Sequence, residues 1–464
     1  MYRTSDNTKN RNEHHQAPDL PGRDKGGGTR SLLLRFPILN RAFTTFGCLV
    51  SLRRVFLRLT PMASRMEYDT DVVIIGAGPA GLSAAKSLSD SEVSYFLLYR
   101  ESSPCENKPC GGFVPKRALV EFDLGGIGGS HAVNGIRIKF PGMELARIDF
   151  GEAAGVNVSR ADLGLAQLSQ IRKAKRTVWA RSKVHQVRVD SEGCQVGYSK
   201  DGERGVLNSR IVIDASGTNP ASQRSTPFRE RIPNSLMGYA VQYQMKLPSE
   251  SAPMDKVNDF YYGSDYSPRG YAWVFPRGRQ VAVGTGGLIA RVRESKVRVL
   301  EYLDSLVNQV EPICTMLENA EIVRREAALM PLAGIVVPSY SGRLMLAGDA
   351  AGHCSPITGE GIYYSMMAGK LAATTAIESI AKADTTSKAL STYENRWKRA
   401  FGSDLKWGHW LQRRFLEGGS GSLSPRLLKS EESQRIIAEM LVGVRSVRSA
   451  IAQMVPRHLL SRFR

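Results

Sequence analysis

The stretch DTDVVIIGAGPAGLSAAKSL, residues 69–88, constrains this chain more than any other. The apolar run Val72–Ile75 reads as a strand buried on both faces, as in a parallel sheet. Three glycines follow at once, and the pattern then turns helical over residues 79–89. The three glycines have separate roles. Gly76 makes the tight turn, Gly78 lets a pyrophosphate approach the backbone, and Gly81 lets the helix pack on the strand. Pro79 and Ala80 open the helix, whose N-terminal N–H groups and dipole favour a phosphate. A dinucleotide-binding crossover is the reading. A second strand, YFLLY (95–99), should end on an acidic residue that holds the ribose. Tyr99 stands there, with Arg100 and Glu101 after it, so Glu101 serves after a small shift or Tyr99 bonds in its place.

Further along, residues 184–189 and 194–199 read as a hairpin, and RIVIDASG (210–217) as another strand with a tight turn. From about residue 235 to 325 the pattern changes to strands rich in aromatics and then a helix near 291–309. RLMLAGDAAG (343–352) restores the buried strand and turn. Residues 361–382 are expected to be helical, and a helical tail carries Trp397, Trp407 and Trp410. The expected fold is α/β. A Rossmann-like nucleotide domain spans residues 67–234 and 325–385, a β-rich substrate domain is inserted over 235–324, and a helical region occupies 386–464.

Six cysteines scattered over 464 residues do not make a disulfide scaffold and suit a reducing, cytoplasmic compartment. Cys105 and Cys110 are near enough in sequence to pair. The net charge is +19, of which residues 1–65 supply +8 and residues 424–464 supply +5. Basic ends point to an anionic surface. No nucleic-acid-binding motif and no metal-ligand spacing is present, which favours a membrane surface and a peripheral association. Residues 31–66 are free of acids and rich in arginine. They read as an organelle-targeting segment, a basic surface helix, or an extension ahead of a true start at Met62 or Met66. The C-terminal stretch RIIAEMLVGVRSVRSAIAQMV has apolar residues at helical spacing. It suits a membrane surface, a cap on a pocket or a subunit contact; oligomeric state is open.

LAGDAAGHCSPITGEGI (346–362) identifies the dinucleotide by resemblance. Gly348 and Asp349 at a strand end, then Pro356 and the turn Gly359-Glu360-Gly361 into a helix, resemble the second FAD fingerprint of glutathione-reductase-type flavoproteins. The resemblance implies that Asp349 binds the ribityl hydroxyls and that the helix start faces the flavin pyrimidine edge. Asp214 and Gly217 resemble part of the intervening motif of that group. Arg160, in VSRADL, and Arg117 stand where a flavin-contacting arginine is expected; a surface ion pair is the alternative for each.

Two further stretches narrow the chemistry. PRGYAWVFP (268–276) and PCGG (109–112) together resemble the geranylgeranyl reductase family over roughly residues 67–400. That resemblance implies an FAD-dependent reductase of isoprenoid double bonds in lipids, quinone tails or prenylated pigments, with NADPH or ferredoxin as electron donor. Tyr271, Trp273 and Phe275, on one face of a strand by period-two alternation, would line the lipid pocket; ordinary core packing is their other reading. Cys110 and Gly111 would lie on a loop beside the flavin. Cys110 and His353 are the candidates for proton transfer, with packing as the alternative role. An aromatic-type FAD monooxygenase on the same fold and a non-catalytic lipid-binding flavoprotein are the competing functions.

Overall fold

The computed structural model describes residues 66–172, 177–224, 232–250, 254–415 and 428–462. The basic segment 1–65, with Cys48, lies outside them. The first layer is an eight-stranded sheet. Its order is Tyr340–Ser341, Leu344–Leu346, Glu203–Asp214, Thr70–Ile75, Tyr95–Leu98, Val178–Trp179. Thr70–Ile75 pairs in parallel with Glu203–Asp214 on one side and Tyr95–Leu98 on the other, with Ile75 opposite both Asp214 and Leu98. The expected hairpin is present as Ser182–Val189 and Cys194–Lys200, antiparallel and branching from Glu203–Asp214. Val72, Val73, Ile74, Leu97, Ile211 and Ile213 are wholly buried. Both faces of the central strands are therefore covered, and each such side chain contributes about 1.5–3 kcal/mol relative to exposure.

The fingerprint helix Pro79–Ser89 packs against the long helix Ile362–Ala381. A Cβ placed on Gly369 would lie 1.9 Å from the Ala80 carbonyl oxygen, so the two helices meet backbone to backbone. This close approach sets the start of the fingerprint helix against the first half of the long helix, at the carboxyl ends of the parallel strands, where α/β sheets bind ligands.

The second layer is a seven-stranded sheet in the order Glu321–Met330, Gly238–Lys246, Gln280–Leu288, Tyr271–Arg277, Val257–Tyr262, Gly135–Lys139, Ala146–Asp149. It draws two strands from residues 135–149 as well as those from 238–330. Its back face, with Tyr243, Ala272, Val274 and Val283, packs on Val299, Leu303 and Leu306 of the helix Val299–Gln309. The front face carries Tyr271, Trp273 and Phe275, as the alternation predicts. The single helix expected over 291–309 is two, Ile289–Glu294 and Val299–Gln309. Between them the Ser295 hydroxyl accepts the Val297 N–H at 3.1 Å, a local bond that competes with continued helix.

The C-terminal helices Glu431–Leu441 and Val447–Arg462 pack through Ile436, Ile437, Met440, Val447 and Ile451 onto Ile136, Ile138, Phe140, Phe260 and Phe275. The C-terminal stretch thus closes one end of the seven-stranded sheet. No helix among the described residues is long and apolar enough to cross a membrane.

Candidate active site

The three fingerprint glycines are held by distinct constraints. Gly76 has φ +99°, and a Cβ there would sit 2.5 Å from the Ala215 carbonyl oxygen. A Cβ on Gly81 would lie 1.8 Å from the Gly76 oxygen, which seats the helix on its strand. Around Gly78 nothing approaches within 4 Å of that position. Gly78, Pro79 and Ala80 instead face a cavity of about 840 Å³ between the two layers. The open side of this helix start, with its partial positive charge, fits a phosphate.

The same wall of the cavity carries Tyr99, Glu101, Arg160, Gly217, Gly348 and Asp349, and beyond them Pro356, Gly359, Glu360 and Gly361. Glu101 is paired with Arg100 at 2.8 Å. Tyr99 is buried, and burial followed by the nearby Glu101 charge raises its pKa. Burial also raises the pKa of Asp349, opposed by Arg160 and Lys108. Among the described residues none donates a hydrogen bond to the Asp349 carboxylate, which is left open to a hydroxyl in the cavity. Arg160 reaches Cys105 Sγ at 3.7 Å through one nitrogen, while its buried Nε has no partner. An open carboxylate, an orphaned guanidinium N–H and a phosphate-ready helix start fit FAD in the order expected from the two fingerprints.

Four expected site residues do not line the cavity, the first being Gly81, which instead seats the helix on its strand. The Asp214 carboxylate accepts the Ser216 N–H at 3.0 Å and the Ser222 N–H at 2.8 Å, so it builds the turn that presents Gly217. Arg117 lies behind the second fingerprint, bonded to Glu360 at 2.6 Å and stacked 4.1 Å over the Tyr363 ring. Its reach into the site is through the Glu360 turn. His353 is wholly buried against Trp397 and Phe401, with ring centroids 4.8 and 5.1 Å away. Burial pushes its pKa down to about 3. Its place in the sequence beside Pro356 suggested proton transfer, but the ring turns into the helical layer, where it stays neutral.

The Cys-Gly-Gly loop meets the aromatic strand directly. A Cβ on Gly111 would lie 2.6 Å from Phe275 and 3.5 Å from the Trp273 indole nitrogen. Gly112 has φ +90°, and its Cβ would lie 2.3 Å from the Val158 oxygen. Cys110 and Cys105 are both free thiols, so the pairing that their sequence spacing allows is not made. Cys110 Sγ accepts the Gly112 N–H at 3.4 Å, and Gln242 Nε2 donates to the Cys110 carbonyl at 3.1 Å. Cys110 therefore stands on a loop pinned from below, between the cofactor wall and the aromatic wall. Cys354 also lines the cavity, and burial holds its thiol well above the usual cysteine range.

Tyr271, Trp273 and Phe275 all line the cavity. The Tyr271 hydroxyl donates to the Thr358 carbonyl at 2.6 Å, joining the aromatic strand to the second fingerprint. The Trp273 indole sits over Gly284, where a Cβ would come within 2.2 Å of the ring. Past these rings the cavity continues into an apolar arm walled by Phe140, Phe260, Tyr262, Ile437, Met440, Ile451 and Met454. The sequence reading missed Phe140, Phe260 and Tyr262. It also missed Gly284, whose place inside a strand is the usual signal of a close approach.

Two glycine fingerprints converging on one cavity, under an antiparallel sheet with an aromatic face, define a flavin-dependent oxidoreductase. Residues 71–417 match the family model described as lycopene cyclase protein. Digeranylgeranylglycerophospholipid reductase 1 of Methanococcoides burtonii is 30% identical over 351 residues, 73% of this chain and 82% of that protein. The digeranylgeranylglycerophospholipid reductase of Methanosarcina acetivorans is 30% identical over 350 residues, 73% and 83% of the two chains. A crystal structure of a geranylgeranyl bacteriochlorophyll reductase-like protein from Thermoplasma acidophilum superposes with a TM-score of 0.73 at 23% identity, covering 84% of this chain and 98% of that one. The chain belongs to the geranylgeranyl reductase family of FAD flavoproteins.

Proposed function

We propose that this protein saturates carbon–carbon double bonds in the isoprenoid chains of a lipid. The observation that carries the reading is the continuity of the FAD cradle with the apolar arm, across the contact of Gly111 with Phe275. The curated relatives, named as reductases of a digeranylgeranylglycerophospholipid, support a prenyl lipid as the substrate class.

Bound and reduced, FAD supplies the hydride equivalent. Asp349, Gly78 and Arg160 hold the cofactor. The rings of Tyr271, Trp273, Phe275 and Phe260 hold an alkene in dry surroundings, where positioning and exclusion of water lower the barrier. The second alkene carbon needs a proton, and the Cys110 thiol carries one at Sγ on the loop between the two walls. Electrons come from NADPH or from a small protein such as ferredoxin, and the protein works peripherally at a membrane surface, where its substrate resides.

An anaerobic titration tests the proposal. Protein loaded with FAD and reduced with dithionite should regain the oxidised flavin spectrum on addition of a geranylgeranyl lipid, and not on addition of its saturated counterpart. Reoxidation by oxygen alone, indifferent to the alkene, would favour the monooxygenase reading.

A further inference from the structure

The helix Ser403–Phe415 connects the cavity with the protein surface. Its inner face is part of the site. Leu411 and Gln412 line the cavity, and Gln412 Nε2 donates to the Pro356 carbonyl at 2.8 Å. A Cβ on Gly408 would lie 3.1 Å from the Pro356 ring, so this face rests on the second fingerprint loop. The outer face is a stripe at helical spacing: Ser403, Lys406, Trp407, Trp410 and Arg413 are all exposed. Trp407 is 38% and Trp410 44% exposed, and their rings meet edge to face at 5.7 Å. The stripe has no acid, because Asp404, the only one on the helix, is buried.

Two large indoles left open beside two cations is an unusual use of a surface. Indole suits the boundary between headgroups and acyl chains, having an apolar body and one N–H donor. Lysine and arginine on either side suit anionic headgroups. We propose that this outer stripe is the surface by which the protein docks on an anionic lipid bilayer. The inner face of the same helix borders the cavity, so docking brings the cavity up to the source of its substrate. The proposal rests on the prenyl-lipid reading above for its substrate, and on the stripe alone for the surface. A protein partner on the same stripe is the competing outcome.

The test uses the full-length FAD-loaded protein and co-sedimentation with phosphatidylglycerol or phosphatidylcholine vesicles. Wild type should bind phosphatidylglycerol vesicles in preference. Trp407→Ser/Trp410→Ser should lose roughly tenfold or more in vesicle partitioning, and Lys406→Glu should lose the preference for phosphatidylglycerol. Both variants should keep wild-type reduction of a detergent-dispersed geranylgeranyl substrate and a wild-type circular dichroism spectrum. No binding by wild type, or equal binding by wild type and the tryptophan double variant, would overturn the docking surface while leaving the reductase reading intact. Failure to reduce the dispersed substrate, with vesicle binding lost in the variant as expected, would overturn the reductase reading and leave the surface standing.

Discussion

Gly111 touches Phe275 so closely that a single added methyl would stand 2.6 Å from the ring. The Cys-Gly-Gly loop and the aromatic strand, 164 residues apart in the sequence, are two sides of one contact beside the cofactor wall. Gly111→Ala should therefore cost about 1–3 kcal/mol through overpacking and reduce turnover. Adding Phe275→Leu should restore part of both losses. Thermal melts and steady-state rates on the two single variants and the double variant measure the coupling; strict additivity would mean that the contact does not govern activity.

Cys110→Ser should keep FAD bound and slow alkene reduction, because the loop geometry rests on Gly111, Gly112 and Gln242 while the thiol holds the proton. Unchanged turnover in single-turnover measurements would reduce Cys110 to packing.

Asp349→Ala removes an acceptor that has no hydrogen-bond donor among the described residues and faces the cavity. FAD affinity should fall roughly ten- to a hundredfold, as when a hydrogen bond to a charged group worth about 1.5–3 kcal/mol is lost. Flavin fluorescence titration reads this directly. Arg117→Met should weaken FAD less, since Arg117 acts through Glu360 and does not line the cavity.

His353 predicts an acid sensitivity of the fold. Its pKa is lowered from 6.5 to about 3 by burial, so the unfolded chain takes up the proton first as pH falls. Its contribution is complete above pH 6.5 and is lost progressively down to about pH 3. Near pH 4.5 the loss is about 3 kcal/mol. Denaturant melts of wild type and His353→Leu at neutral pH and near pH 4.5 should show a smaller pH dependence in the variant. The variant should also keep the pH profile of turnover, as expected of a ring that does not reach the cavity.

Ala450 lines the apolar arm from the last helix. Ala450→Phe should fill that arm, sparing reduction of a short geranyl chain and suppressing that of a geranylgeranyl chain. Relative kcat/KM for the two substrates is the readout; equal losses on both would place the long chain elsewhere.

Much of the nucleotide layer was legible because its features are local. Gly76 and Gly81 are dictated by backbone contacts only a few ångströms away, and a strand buried on both faces has to be apolar throughout. The face shared by Tyr271, Trp273 and Phe275 followed from alternation alone. Side-chain direction in loops was not legible. Asp214 and His353 sit next to residues of the cavity wall, yet one carboxylate turns back to Ser216 and Ser222 and the other side chain turns into an aromatic layer. The far wall was hidden for another reason. An apolar helix such as Glu431–Leu441 suits a membrane, a subunit or a pocket equally well, and only the tertiary fold sets Ile437 and Met440 against Phe275. Tyr99 and Glu101, the two residues expected at the ribose position, both line the cavity.

The most direct measurement is the mass of the lipid after anaerobic incubation of a geranylgeranyl lipid with the reduced, FAD-loaded protein. Alkene reduction predicts a gain of two hydrogens for each double bond saturated, without oxygen and with loss of the vinylic proton signals. An unchanged lipid, or a product that forms only with oxygen and carries an added oxygen atom, would contradict it.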